Sequence, residues 1–141
     1  MTSNADRVRE MLRLAGEMRV DELIEYFAPH AVMELPFAPG RMEKRYDGKA
    51  AILGFQQFAR DSFSSFGMTV DAIHEAADPH IVVAEHRSDG VVAANGRPYR
   101  NRYVTFFVFD DAGLVTNWRE YYDAGVVVQA FRGDRADRRA V

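Results

Sequence analysis

From Tyr99 to Phe109 every second side chain is a ring, an amide or a hydroxyl, and Arg100, Arg102 and Val104 stand between them. This alternation has the period of a β-strand, in which successive side chains point to opposite sides of the sheet. It therefore places Tyr99, Asn101, Tyr103, Thr105, Phe107 and Phe109 on one face. Asp110-Asp111-Ala112-Gly113 forms a turn, and Leu114 to Tyr122 returns as a second strand with Trp118, Glu120 and Tyr122 on one face. A chain with this hairpin must build the rest of its fold around an aromatic sheet.

Upstream, Val8, Met11, Leu12, Ala15 and Met18 recur at helical spacing, predicting an amphipathic helix over residues 4–18 with Ser3 or Asn4 as its cap. Asp21 opens a short helix through Leu23, Ile24 and Phe27, which Pro29 ends. Ala31 to Leu35 reads as a short strand, and Arg41 to Asp47 as an edge hairpin beyond Pro36, Pro39 and Gly40. A third helix spans Ala50 to Phe63, with Ile52, Leu53, Phe55, Phe58 and Phe63 on its apolar face and Gln56, Gln57 and Arg60 outward. Met68, Val70 and Ala72 alternate as a strand, and Asp78-Pro79 turns into the next, Ile81 to Arg87. Asp89-Gly90 and Asn95-Gly96 are turn dipeptides of a long bent hairpin, Val126 to Phe131 forms a closing helix, and residues 132–141 form a frayed tail. The order is α+β, with helices on one face of a largely antiparallel sheet.

The 141 residues suit one domain, residues 1–141, without repeat or linker. A net charge of -3 offers no basic face for nucleic acid. The chain has no cysteine, hence no disulfide and no thiolate metal site, and no apolar run approaches the roughly 18 residues of a membrane span. With no signal-peptide pattern between Met1 and Asp21, the expectation is a soluble, cytoplasmic protein that binds neither nucleic acid nor membrane. His30, His80 and His86 lack zinc-site spacing, so neither metal nor cofactor is expected.

Ten Phe, six Tyr and one Trp imply a thick core or a ring-lined cavity. If the two hairpin faces coincide, Glu120 sits among aromatic rings, where loss of water raises a carboxyl pKa toward neutrality and suits it to general acid/base work. The alternative reading has Glu120 facing solvent or paired with Arg87 or Arg102. Glu85 and Arg87 share one strand face, from which Arg87 could orient Glu120 or bind a substrate anion. Tyr103, Tyr122, Trp118, Phe107 and Asn101 complete the candidate binding set. His74, Tyr46, Glu34, Arg41 and Lys44 are lesser candidates, more simply read as surface or packing residues.

Leu23-Ile24-Glu25-Tyr26-Phe27-Ala28, Val32-Met33-Glu34-Leu35-Pro36, and Gly113-Leu114-Val115 leading into Trp118-Arg119-Glu120-Tyr121-Tyr122-Asp123 resemble the SnoaL-like, nuclear transport factor 2-like superfamily across nearly the whole chain. That superfamily includes polyketide cyclases, ketosteroid isomerase, limonene-epoxide hydrolase and PhzB-like proteins. The resemblance implies a cone-shaped, curved mixed or antiparallel sheet, a cystatin-like α+β barrel, with three helices from the N-terminal half on its concave face. Glu120 matches the general base of the limonene-epoxide hydrolases and an acid/base glutamate of PhzB-like proteins. The hydrolases' water-holding Tyr and Asn fall near Met33 and Leu35, and their Arg-x-Asp falls near Glu85-His86-Arg87, so that mechanism is not reproduced. The base of ketosteroid isomerase falls at Leu35 and its oxyanion donors near Met11 and Thr105, which removes that mechanism as well.

Two functions follow. One is a cofactor-independent enzyme of secondary metabolism, an isomerase, cyclase, dehydratase or hydrolase using Glu120 on a small apolar or polyketide-like molecule. The other is a non-catalytic module for ligand binding or dimerisation. The resemblance implies a homodimer, which would cover the outer face that carries Val104, Phe106 and Val108.

Overall fold

The computed structural model describes residues 2–132. The first helix, α1 (Asn4–Gly16), begins at Ser3, whose hydroxyl accepts the Asp6 backbone N–H at 3.1 Å and so satisfies one of the free donors of the first turn. Its stripe of Val8, Met11 and Leu12 is fully buried. The chain leaves α1 through Met18 at φ 58°, a left-handed position usually given to glycine. A methionine here places a long apolar side chain at the wall of the central cavity.

A single turn, α2 (Val20–Leu23), and a 3-10 turn at Ile24–Tyr26 lead directly into β1 (Phe27–Glu34). Pro29 therefore lies within a strand and does not end a helix. It sits where the ladder between β1 and its neighbour is interrupted, between Phe27 and Val32, so its missing N–H costs no sheet bond. The edge hairpin resolves into β2 (Arg45–Asp47), and Gly48 at φ 90° turns the chain into α3 (Lys49–Asp61).

The four long strands are β3 (Phe63–Glu75), β4 (Ile81–Val92), β5 (Pro98–Phe109) and β6 (Val115–Tyr122). Phe63 thus opens a strand instead of closing α3. Asp89-Gly90 is not a turn but the interior of β4, where Gly90 opposes Phe66. A Cβ there would lie 2.7 Å from the Ser65 carbonyl oxygen, so glycine serves close strand approach. The turn falls at Asn95-Gly96, with Gly96 at φ 71°. The last described helix, α4 (Ala124–Phe131), starts at Asp123, whose carboxylate accepts from the Gly125 and Val126 N–H groups. Of the expected frayed tail, residues 133–141 lie outside the described residues.

The sheet order is β2-β1-β6-β5-β4-β3, with β1 and β6 parallel and every other pair antiparallel. The expected α+β cone with helices on one face is present. It is not a closed barrel: β2 and β3 are separate edges. The core lies between the sheet and α1, α2 and α3, where Phe107 meets the edge of Trp118 at 4.7 Å and Trp118 stacks on Phe27 at 5.7 Å. No helix among the described residues is long and apolar enough to cross a membrane.

Candidate functional site

The register of β5 against β6 sets Tyr103 opposite Tyr122, Thr105 opposite Glu120 and Phe107 opposite Trp118. The two alternating faces therefore coincide, as cross-strand neighbours must in an in-register antiparallel pair. Both point toward the helices, and the outward residues Arg100, Arg102 and Val104 point away. Helices and sheet enclose a cavity of about 170 Å³ whose wall includes Glu120, Trp118, Tyr103 and Tyr122 from the sheet. Met33, beside Trp118 on β1, continues this wall, Phe55 and Gln56 face it from α3, and Phe58 stands exposed at the mouth.

Among the described residues, Glu120 is the only carboxylate in this wall. Burial among rings pushes its carboxyl up to about 7 from the ordinary 4.5. The shift is opposed by the Thr105 hydroxyl, which donates to Glu120 Oε1 at 3.0 Å, and by the nearby Trp118 indole N–H. The indole nitrogen itself is buried and has no hydrogen-bond partner among the described residues, so the Thr105 bond is the one that fixes the carboxylate.

Behind Thr105 lies His86, with Nε2 at 2.9 Å from Thr105 Oγ1 and 3.9 Å from Glu120 Oε1. When Glu120 is ionised, the threonine gives its one proton to the carboxylate and must accept from the imidazole. His86 then carries its hydrogen on Nε2, leaving Nδ1 bare and unpartnered. Burial pushes the His86 pKa down to about 4, so the ring is neutral at neutral pH. It stacks on Tyr103 with centroids 4.9 Å apart and planes 10° apart, which fixes its orientation.

The tyrosines divide. Tyr103 is engaged: its hydroxyl lies 2.8 Å from Ser88 Oγ and 2.9 Å from the Tyr99 hydroxyl. Tyr122 meets Tyr103 edge-on at 6.1 Å, and its hydroxyl has no hydrogen-bond partner among the described residues. Burial, with the Glu120 charge adding to it, holds the Tyr122 phenol well above its ordinary range, so it is a neutral donor.

Four of the expected binding residues lie elsewhere. Glu85 and Arg87 occupy the outer face of β4, because they alternate with the inward Ala84, His86 and Ser88. Glu85 pairs with His74 at 2.6 Å and Arg87 with Asp71 at 3.0 Å, so Arg87 does not orient Glu120. Phe107 is inward but wholly packed in the core behind Trp118. Asn101 is inward yet pins the end of β6: its amide donates to the Tyr99 hydroxyl and the Asp123 carbonyl and accepts the Asp123 N–H. Among the lesser candidates, Glu34 pairs with Arg45, Lys44 donates to the Ala38 carbonyl, and Tyr46 packs on Phe55.

Sequence reasoning missed three residues. His86 enters the sequence argument only through its zinc-site spacing and the broken arginine-carboxylate order, although its place between Glu85 and Arg87 puts it on the other face of the strand. Thr105 was placed on the inner face without a role. Gln56, expected to face outward, is 6 % exposed, and its position four residues after Ile52 puts it on the same buried stripe of α3.

A family model described as a SnoaL-like domain matches residues 8–118. YesE of Bacillus subtilis (strain 168), an uncharacterized protein, is 30% identical over 91% of this chain and 86% of its own length. A solved structure from Bacillus subtilis is 32% identical, covers 90% of this chain and 91% of its own, and superposes with a TM-score of 0.80. SalBIII, an epoxide hydrolase/cyclase-like enzyme of pyran ring formation in the polyether salinomycin, shares the fold at a TM-score of 0.74 and 16% identity, with 86% and 92% of the two chains covered.

Proposed function

Because the chain belongs to the SnoaL-like domain family, we propose that it is an enzyme of small-molecule secondary metabolism in which Glu120 carries a proton to or from an apolar or polyketide-like substrate held in the cavity. The observation that carries this reading is the setting of Glu120: a lone carboxylate in an apolar wall, hydrogen-bonded by Thr105 and balanced between its two protonation states near neutral pH. As carboxylate it removes a proton from a C–H or O–H acid pressed against the rings. As carboxylic acid it returns one. The neutral Tyr122 phenol is free to donate to an oxygen that gains charge, and a substrate that fills the mainly apolar cavity displaces water from the reacting groups. Isomerisation, ring closure and dehydration need only these parts.

Epoxide opening by a Tyr- and Asn-held water is not favoured, since the resemblance puts Met33 and Leu35, both buried and apolar, at the places of those groups.

The test does not require the natural substrate. Small cyclic ketones in D2O should exchange α-hydrogens faster with the protein than without, and Glu120→Gln should lower that acceleration by about 10²-fold or more. Equal rates for the two proteins would overturn the acid/base reading. Binding of the ketones without exchange by either protein would leave a ligand-binding module.

A homodimer through the outer sheet face belongs to the same proposal. Val104 is exposed there beside Phe106, Tyr121 and Arg119, whose guanidinium lies 4.9 Å from the Phe106 ring centroid. Charges of both signs flank this patch, Glu85 and Asp71 with Arg87 and Arg102, so the face carries no single-sign charge that would repel a second copy. Light scattering of the wild type should give twice the chain mass, and Phe106→Glu should give the monomer. A wild-type monomer at micromolar concentration overturns this.

A further inference from the structure

The cavity wall holds a polar group that proton transfer at Glu120 does not use. Gln56, on α3, lines the cavity across from the sheet and is 6 % exposed. Neither its amide oxygen nor its amide nitrogen has a hydrogen-bond partner among the described residues. Ile52, one turn earlier on the same stripe, is fully buried, so the glutamine is held in the interior by its place on the helix. An amide taken out of water without partners destabilises the fold, and an apolar side chain of similar shape would remove that cost.

We infer that Gln56 is a specificity residue that reads a paired donor and acceptor on the ligand, so that the cavity selects a neutral, mostly apolar ring compound bearing a lactam, hydroxy-carbonyl or undissociated acid group. A primary amide matches such a group edge to edge, its N–H donating to the ligand's oxygen while its C=O accepts the ligand's hydrogen. The class is neutral because Glu120, the only charged group in the wall among the described residues, repels an anion once ionised, and the apolar lining penalises the desolvation of any charge. Size limits it further. A volume of about 170 Å³ is close to that of apolar cavities of roughly 150 Å³ that take up benzene, so one ring fits inside and a second extends toward Phe58 at the mouth. A hydrocarbon would fill the space but leave the Gln56 amide unpaired, and the site would discriminate against it. The inference rests on the cavity being the ligand site, and not on Glu120 moving a proton.

The experiment compares binding of 2-quinolone, which carries the lactam pair, with binding of 2-methylnaphthalene, which has the same outline without it. It uses wild type, Gln56→Leu, Gln56→Met and Glu120→Gln, with a melting curve for each. The wild type should bind 2-quinolone at least about tenfold more tightly than 2-methylnaphthalene. In Gln56→Leu and Gln56→Met the preference should fall to within about twofold, with hydrocarbon affinity kept and the melting temperature unchanged or raised. A preference that survives in both glutamine variants overturns the inference, as does the absence of any preference in the wild type or failure of both probes to bind. Loss of folding in both variants also overturns it, since the amide would then be structural. If the preference survives at position 56 and vanishes only in Glu120→Gln, the carboxylate reads the lactam: the Gln56 inference fails while the proton-transfer proposal stands. Loss of α-hydrogen exchange with the Gln56-dependent preference intact marks the reverse.

Discussion

Thr105 and Glu120 face each other across β5 and β6, and the threonine hydroxyl donates to the glutamate Oε1 at 3.0 Å. One rung of the sheet thus joins the acid/base candidate to a buried, neutral His86 that fixes which way the hydroxyl points. The bond favours the charged carboxylate, and hydrogen bonds to charged groups contribute about 1.5–3 kcal/mol. Thr105→Val, which keeps the shape and removes the hydroxyl, should therefore raise the pH at which Glu120 titrates, as read by carbon NMR of its carboxyl. The pH profile of exchange should move with it, and Thr105→Ser should restore both. A Thr105→Val profile that overlays the wild type would show that the hydroxyl does not tune the carboxyl.

Glu120 and His86 make opposite contributions to stability as pH changes. Glu120, at about 7 in the fold against 4.5, keeps a proton that the unfolded chain has released; its contribution is full below 4.5 and lost as pH rises through 7. His86, at about 4 against 6.5, stays neutral where the unfolded chain is protonated; its contribution is full above 6.5 and lost as pH falls toward 4. Each reaches on the order of 3 kcal/mol by the conversion of pKa difference to free energy. Between pH 4.5 and 6.5 the two slopes oppose each other. Glu120→Gln should unmask the histidine: its melting temperature should climb over that interval and should not decline from pH 6.5 to 8. Surface pairs such as His80 with Asp111 are common to both proteins and drop out of the comparison. Parallel melting profiles for the two would contradict the burial of Glu120.

Arg87→Ala and Glu85→Ala should leave α-hydrogen exchange within about twofold of wild type, since both side chains pair on the outer sheet face. Their effect on stability should stay within about 0.5 kcal/mol, as for other exposed ion pairs. A tenfold loss of exchange in Arg87→Ala would return the arginine to the site.

Gly90→Ala should destabilise the protein by about 1–3 kcal/mol, because the new methyl would meet the Ser65 carbonyl oxygen at 2.7 Å, and backbone must shift to admit it. The cost should reach the cavity too, since β3 supplies Phe63, Phe66 and Met68 to its wall. Urea unfolding and 2-quinolone binding measure the two effects. An alanine variant as stable as wild type would mean that β3 and β4 separate freely at this rung.

The sequence alone determined the strands of the aromatic hairpin and the side of each strand on which Glu120, Tyr103 and Tyr122 stand, because side-chain alternation is a local property of the extended backbone. It determined α1 and its Ser3 cap for the same kind of reason, since helical periodicity and capping involve residues only a few positions apart. What it left open was which side of each strand faces the helices, and that depends on partners distant in the chain. The register of β4 against β5 brought His86 beside Tyr103 and Thr105, and the same parity sent Glu85 and Arg87 outward. Asp89-Gly90 has the composition of a turn, yet strand pairing with Phe66 and Gly67 overrode that local preference. Gln56 has the polarity of a surface residue, and only the docking of α3 on the sheet enclosed it. Tertiary structure decided the site because a cavity is made from the facing surfaces of several elements, and no single segment contains both.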